Sequence, residues 1–188
     1  VSSTYGQQGA VGSWKGTTVY PCGYDSNGND VLHNHALHHF DGDPLGGWVI
    51  PLIDVWCLVN PRLSEFNVAA WTPVDHFPVP PEVLKFFHRT AATPIAMSQF
   101  GERLLFDAGL NPVYIPLSVD TNAYKPTPTL TIDGRTVTGR ELLALDDPIP
   151  DDAFLVGMVA MNKGWARDRK GFNEALRAFG QFWTQHQD

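Results

Sequence analysis

Residues 66–98 read FNVAAWTPVDHFPVPPEVLKFFHRTAATPIAMS, and this stretch decides the predicted fold. It opens with an apolar run that ends at Asp75 and His76, of the kind found in strands buried on both faces of a parallel sheet. Prolines then begin a segment with apolar residues at helical spacing, and TPIAMS at 93–98 is a further apolar strand. A strand, a helix and a second strand in this order predict a parallel βαβ unit.

The same alternation continues on both sides of this stretch. Upstream, GGWVIPLIDVW at 46–56 predicts another buried strand, which ends at Asp54. Downstream, SQFGERLLFDAGL at 98–110 predicts a helix with Ser98 as its N-cap, and PVYIPL at 112–117 predicts the next strand. The fold class is therefore α/β, built on a parallel sheet.

The character of the chain changes after Pro126. TLTIDGRTVTG at 129–139 predicts a hairpin, and Thr138 with Glu141 has the spacing of a capping box at the start of a short helix. AFLVGMVAM at 153–161 predicts a buried strand, and an amphipathic helix is expected to follow it. A second α/β unit is therefore expected near the end of the sequence.

These patterns predict a first domain at 1–126, a hairpin, short helix and linker at 127–152, and the beginning of a second domain at 153–188. TYGQQGA at 4–10 nearly touches VGSWKG at 11–16, where a complete unit would place a helix and a strand. We expect both domains to be incomplete in this sequence, through missing segments or the need for a partner such as a second copy.

Composition restricts the classes of protein that the chain can belong to. It is 43% hydrophobic, which is enough to bury a core and excludes disorder throughout. A formal net charge of -7 disfavours nucleic acid as a partner. Cys22 and Cys57 stand apart in unlike contexts, which fits a reducing compartment, and no apolar run has the length of a membrane span. A cytoplasmic location is therefore expected.

The order of the motifs resembles that of glycosyltransferases of the family 4 (group 1) type. The resemblance implies the GT-B fold, in which two Rossmann-like domains face each other across a cleft that forms the active site. It also implies retaining transfer of a sugar from a nucleoside-diphosphate sugar, such as a UDP-sugar, to an acceptor hydroxyl, with no catalytic metal and no cofactor besides this co-substrate. The motifs that carry it are TYGQQGA, SWKGTTVYP, PLIDVW, WTPVDHFPVP, PIAMSQFGERLL, YIPLSVDTNAYKP and FLVGMVAMNKGWARDRKGF.

The same resemblance assigns residues to the donor diphosphate. Lys170 matches the family's diphosphate-binding lysine, and the glycine-rich loop contributes Gly6. In the family the partner arginine normally follows the strand glycine, but Met158 stands there, so Arg167 or Arg169 is expected to substitute. With Lys163 these basic residues of NKGWARDRKG precede a helix whose N-terminus attracts anions; the alternative is a solvated basic turn.

Polar residues at the predicted strand ends are the other site candidates. His76 matches the family histidine that contacts the transferred sugar, although a histidine at a strand end is commonly structural. Asp54 and Asp75 could each orient an acceptor hydroxyl or only cap a loop. Ser98 is expected to serve the helix terminus, with contact to the acceptor as the lesser alternative.

The histidines of HNHALHHF at 33–40 raise the question of a zinc site, because His35 and His39 have helical i, i+4 spacing. The segment lacks the glutamate of an HExxH motif and a nearby cysteine pair. We therefore predict that the chain has no metal site.

Two other functions stay open at this point. The chain could be a non-catalytic Rossmann-like binding module or a subunit of a larger assembly, or a sugar-phosphate epimerase of related fold. The sequence does not identify the sugar or the acceptor.

Overall fold

The computed structural model describes residues 9–144, 147–160, 168 and 170–186. The chain divides into two compact units, Val1–Tyr124 and Lys125–Asp188. Each is described here by itself.

A four-stranded parallel sheet organises the first unit. Its strands are β3 (Trp48–Val49), β4 (Asn67–Thr72), β5 (Thr93–Ala96) and β6 (Val113–Tyr114), and they lie side by side in chain order. The unit is thus α/β with a parallel sheet, as the sequence predicts. The other elements are an antiparallel hairpin of β1 (Gly12–Trp14) and β2 (Thr17–Val19), the helices α1 (Leu32–His39), α2 (Pro81–Thr90) and α3 (Gln99–Asp107), and 3₁₀ turns at Val55–Cys57 and Pro61–Glu65.

The core lies on one face of this sheet. Val68 and Ala70 of β4 and Ala96 of β5 pack with α2 and α3 in one buried cluster. Because the strands follow one another in chain order, right-handed crossovers place both helices on the same face. The prediction of strands buried on both faces is confirmed for β4 and β5, where the consecutive residues 68–70 and 94–96 are buried. It is wrong for β3, where the side chain of Trp48 is exposed.

Two strand boundaries differ from the sequence prediction. β3 ends at Val49, and beyond it only Leu52 pairs with Trp71, in an isolated bridge. Asp54 consequently opens a 3₁₀ turn and does not end a strand. β4 ends at Thr72, so Asp75 and His76 lie in the loop after it, because Pro73 has no N–H to continue the ladder.

The second unit holds a hairpin of β7 (Thr129–Ile132) and β8 (Arg135–Thr138) and the helices α4 (Gly139–Leu143) and α5 (Phe172–Gln185). The predicted capping box is confirmed: Thr138 Oγ1 accepts the N–H of Glu141, and Glu141 Oε2 accepts the N–H of Thr138. The predicted strand at 153–161 is wrong over its described residues, 153–160, which form no strand and are largely exposed. A strand needs a neighbour for its backbone hydrogen bonds, and none pairs with this run in the described part of the unit.

Candidate functional site

Polar side chains gather where the parallel strands of the first unit end. Asp75 and His76 follow β4, Ser98 follows β5, and Asp54 follows the bridge that extends β3. Parallel strands bring their carboxyl ends to one edge of the sheet, which is where ligands bind in open α/β sheets. The candidate site is this carboxyl edge.

Asp75 and His76 form the most chemically capable pair at this edge. His76 Nδ1 donates to Asp75 Oδ1 at 2.5 Å, and both side chains are exposed. The carboxylate therefore fixes the orientation of the imidazole ring. Nε2 of His76 has no hydrogen-bond partner among the described residues, so it is available to a ligand hydroxyl.

The N-terminus of α3 packs against the segment that carries this pair. Ser98 Oγ accepts the N–H of Gly101 at 3.0 Å, which confirms the predicted N-cap. A Cβ on Gly101 would lie 3.2 Å from the carbonyl oxygen of Val74, a tight contact, so glycine favours this close approach of helix and loop. The Ser98 hydroxyl therefore serves as the cap of α3. Val74, which α3 contacts, directly precedes Asp75 in the chain.

Asp54 lies at the same edge and affects a neighbouring cysteine. The Asp54 carbonyl accepts the N–H of Cys57 at 3.0 Å, which closes the 3₁₀ turn, and the Asp54 side chain is exposed. Burial raises the pKa of the Cys57 thiol, and the negative charge of Asp54 raises that pKa further. Cys57 is therefore a protonated thiol at neutral pH and a poor nucleophile.

In the second unit, a carboxylate already occupies the start of the helix expected to bind a diphosphate. Asp168 Oδ2 accepts the N–H of Asn173 at 2.6 Å. Backbone N–H groups, first that of Asn173 and then that of Phe172, lower the pKa of Asp168. Sequence reasoning missed this role, although an aspartate just before a helix is a standard capping signal. Lys170 is exposed beside it.

The remaining donor candidates, Gly6, Lys163, Arg167 and Arg169, lie outside the described residues.

The histidine cluster lies on α1, and its side chains contact Glu65 and Tyr20. His33 is buried and bonds to Glu65 Oε2 at 3.0 Å. The Tyr20 hydroxyl shares a hydrogen bond of 2.9 Å with His38 Nδ1, and the Tyr20 ring stacks on His35 with 4.8 Å between centroids. Among the described residues, no group of three or more His, Cys, Asp or Glu could hold a metal ion. Sequence reasoning found the histidines and missed Tyr20, which contacts three of them.

Two further observations bear on the class of protein. No helix in the described ranges is both long and apolar enough to cross a membrane. Comparison of the chain with protein-family models, curated proteins and solved structures gave no match.

Proposed function

We propose that the chain belongs to a glycosyltransferase that moves a sugar from a nucleoside-diphosphate sugar to an acceptor hydroxyl. The observation that carries the proposal is the exposed Asp75–His76 pair at the carboxyl edge of a parallel sheet. The order of the sequence motifs supports the same assignment. We also propose that the α/β architecture is the GT-B fold, with the two units as its Rossmann-like domains.

In this reaction the bond between the anomeric carbon and the diphosphate oxygen breaks, and the acceptor oxygen bonds to that carbon. The acceptor proton leaves with the diphosphate, so charge and atoms balance. His76 would bind a sugar hydroxyl through Nε2, because Nδ1 is held by Asp75. Asp54 would orient the acceptor hydroxyl. Cationic groups near the leaving diphosphate lower the barrier, and Lys170 is proposed for this role.

Lys170 can bind a diphosphate at the start of α5 only if the Asp168 carboxylate gives up its position there. A diphosphate at the start of α5 would have to displace the Asp168 carboxylate from the N–H of Asn173. Asp168→Asn would remove the competing charge and keep a side-chain oxygen as cap. If the proposal holds, this variant binds UDP more tightly than the unchanged chain.

Titration with UDP and GDP, followed by transfer assays with the corresponding sugars, tests the proposal. We expect Lys170→Ala to weaken nucleotide binding about tenfold, since a hydrogen bond to a charged group contributes about 1.5–3 kcal/mol. Lys125→Ala, which removes another exposed lysine of the same unit, is the matched control. The absence of nucleoside-diphosphate binding by the unchanged chain and by Asp168→Asn would refute the proposal.

The role of His76 is tested separately from nucleotide binding. His76→Asn should lower the rate of transfer about a hundredfold and leave UDP affinity unchanged, because the histidine is proposed to act on the sugar. His88→Asn, at an exposed histidine on α2, is the control. Equal loss in both variants would remove His76 from the site.

A non-catalytic binding module is the second candidate, and the occupied N-terminus of α5 favours it. If Asp168 is a permanent cap, Asp168→Asn gives no gain in nucleotide affinity. The outcome of that one titration therefore separates the two functions.

A further inference from the structure

The segment that follows β3, from Ile50 to Leu52, has backbone groups that no described strand uses. β3 is the terminal strand of the sheet, and the carbonyl of Pro51 accepts the N–H of Trp71 of β4 at 2.9 Å. Alternate residues of a parallel ladder bond to opposite neighbours, so Ile50 and Leu52 direct their N–H and C=O groups away from β4. Within the described residues these groups have no hydrogen-bond partner.

This edge lacks two of the features that normally prevent strand pairing, although β3 itself is only two residues long. Edge strands are commonly protected by charged residues or by a proline that removes an outward N–H. No charged residue lies between Trp48 and Ile53. Pro51 offers no protection, because its nitrogen faces β4 on the same side as its bonded carbonyl. The segment lies at the edge of the sheet but has the apolar composition that is typical of a central strand.

An apolar cleft of about 690 Å³ runs beside the edge. Ile50 and Leu52 form one wall, and α1 with Tyr20 forms much of the other. The side chains of Ile50 and Leu52 stay exposed, and no Asp, Glu, Lys or Arg is among the described lining residues. A neighbouring strand lies about 4.8 Å from its partner in the hydrogen-bonding direction.

We propose that the cleft receives an extended apolar peptide segment, which adds to the sheet as a strand parallel to β3. Its backbone bonds to the outward groups of Ile50 and Leu52, and its side chains cover the apolar walls. Strand addition supplies affinity through main-chain hydrogen bonds, so it matches both the unpaired groups and the apolar lining. None of the residues proposed for sugar transfer lines the cleft, so this inference does not depend on that reaction.

The test uses the full chain and a synthetic peptide of alternating valine and leucine with lysines at both ends for solubility. Amide hydrogen exchange measured by NMR reports directly on the edge. We expect the peptide to slow exchange of the Ile50 and Leu52 amides at least about tenfold, as strand pairing protects an N–H from water. The amide of Trp71, already bonded to Pro51, is the internal reference.

Two N-methylated peptides separate strand addition from unspecific apolar contact. Both keep every side chain, but each lacks the N–H groups on one edge of the strand. Only the peptide methylated on the edge that faces β3 should lose affinity, by about tenfold or more. Equal affinity of both peptides would show that main-chain bonds are not used, and the proposal would be wrong.

A protein variant gives an independent check. Ile50→Lys puts a charge at the edge and should weaken peptide binding about tenfold. Leu45→Lys, at a similarly exposed leucine outside the cleft, should leave binding unchanged. The proposal is overturned if the Ile50 and Leu52 amides are already protected in the monomer, or become protected only when the chain dimerises without peptide. A small apolar molecule such as β-naphthol that binds the cleft while the peptide does not would also overturn it.

Discussion

The two units differ in whether their apolar segments are buried by neighbouring strands and helices. In the first, strands and helices share one buried cluster that runs from Val55 to Leu105. In the second, none of the described residues is buried, although Phe154 to Val159 are as apolar as any strand of the first unit. Helix signals are realised in both units, and the hairpin signal is realised in the second, because their hydrogen bonds are local. The buried-strand signal is realised only where a partner strand pairs with it.

The largest expected difference is the cost of removing one leucine from a helix of each unit. Leu105 of α3 is 0% exposed, whereas Leu176 of α5 is 70% exposed. Leu105→Ala should lower the free energy of unfolding by about 2–5 kcal/mol, as it leaves a cavity in the core. Leu176→Ala should change it by less than about 0.5 kcal/mol. Urea unfolding of the two variants measures both values.

The outcome for Leu176 decides whether the comparison holds. A loss above about 2 kcal/mol for Leu176→Ala would mean that the side chain of Leu176 on α5 is covered in solution. The second unit would then have a core of its own, contrary to the exposure of its described residues.

The same comparison shows which features of the structure the sequence predicts. It predicts the alternation of β4, α2, β5, α3 and β6, because apolar spacing, prolines and caps are local signals. It does not predict that the edge strands β3 and β6 are largely exposed, because that exposure depends on the order of the strands in the sheet. Likewise, strand ends place Asp75 and His76 near the carboxyl edge, but their hydrogen bond depends on the loop after Thr72.

Helix caps offer a second comparison, with a smaller effect. Ser98→Ala removes the cap of α3 and should cost about 1 kcal/mol of global stability, because α3 packs on the core. Thr138→Ala removes a comparable cap from α4, which has no buried residue. That variant should increase amide exchange within α4 and leave the urea midpoint of the first unit unchanged. A global loss for Thr138→Ala would contradict the separation of the units.

Left-handed residues give a third comparison, with opposite signs expected. Ala91 ends α2 with φ of 51°, and Asp133 occupies the hairpin turn with φ of 49°. Ala91→Gly relieves about 1 kcal/mol of backbone strain, partly offset by unfolded-chain entropy, and should stabilise by about 0.5 kcal/mol. Asp133→Gly should not stabilise, because aspartate tolerates this conformation. Thermal unfolding checks both, and an equal gain in the two variants would contradict the argument.

The smallest expected difference between the two units is the effect of acid on their stability. Glu65 accepts hydrogen bonds from Arg62 at 2.9 Å and His33 at 3.0 Å, and these, Arg62 first, lower its pKa from 4.5 to about 2. A carboxyl whose pKa is depressed by folding stabilises the folded state above its unfolded pKa, so this contribution is lost as pH falls from 4.5 to about 2. In the second unit, the N–H of Thr138 lowers the pKa of Glu141, but that bond supports only α4.

Glu65→Gln isolates this contribution. The variant should be less stable than the unchanged chain at neutral pH, and the difference should shrink as pH falls from 4.5 to about 2, where the native carboxyl is itself protonated. The effect is small because Glu65 is exposed to solvent, which screens its ion pair. Glu82→Gln, which removes an exposed pair with Lys85, is the matched control. Urea midpoints across this pH range measure the difference, and a gap for Glu65→Gln that stays constant down to the lowest pH would mean that its hydrogen bonds do not stabilise the charged form.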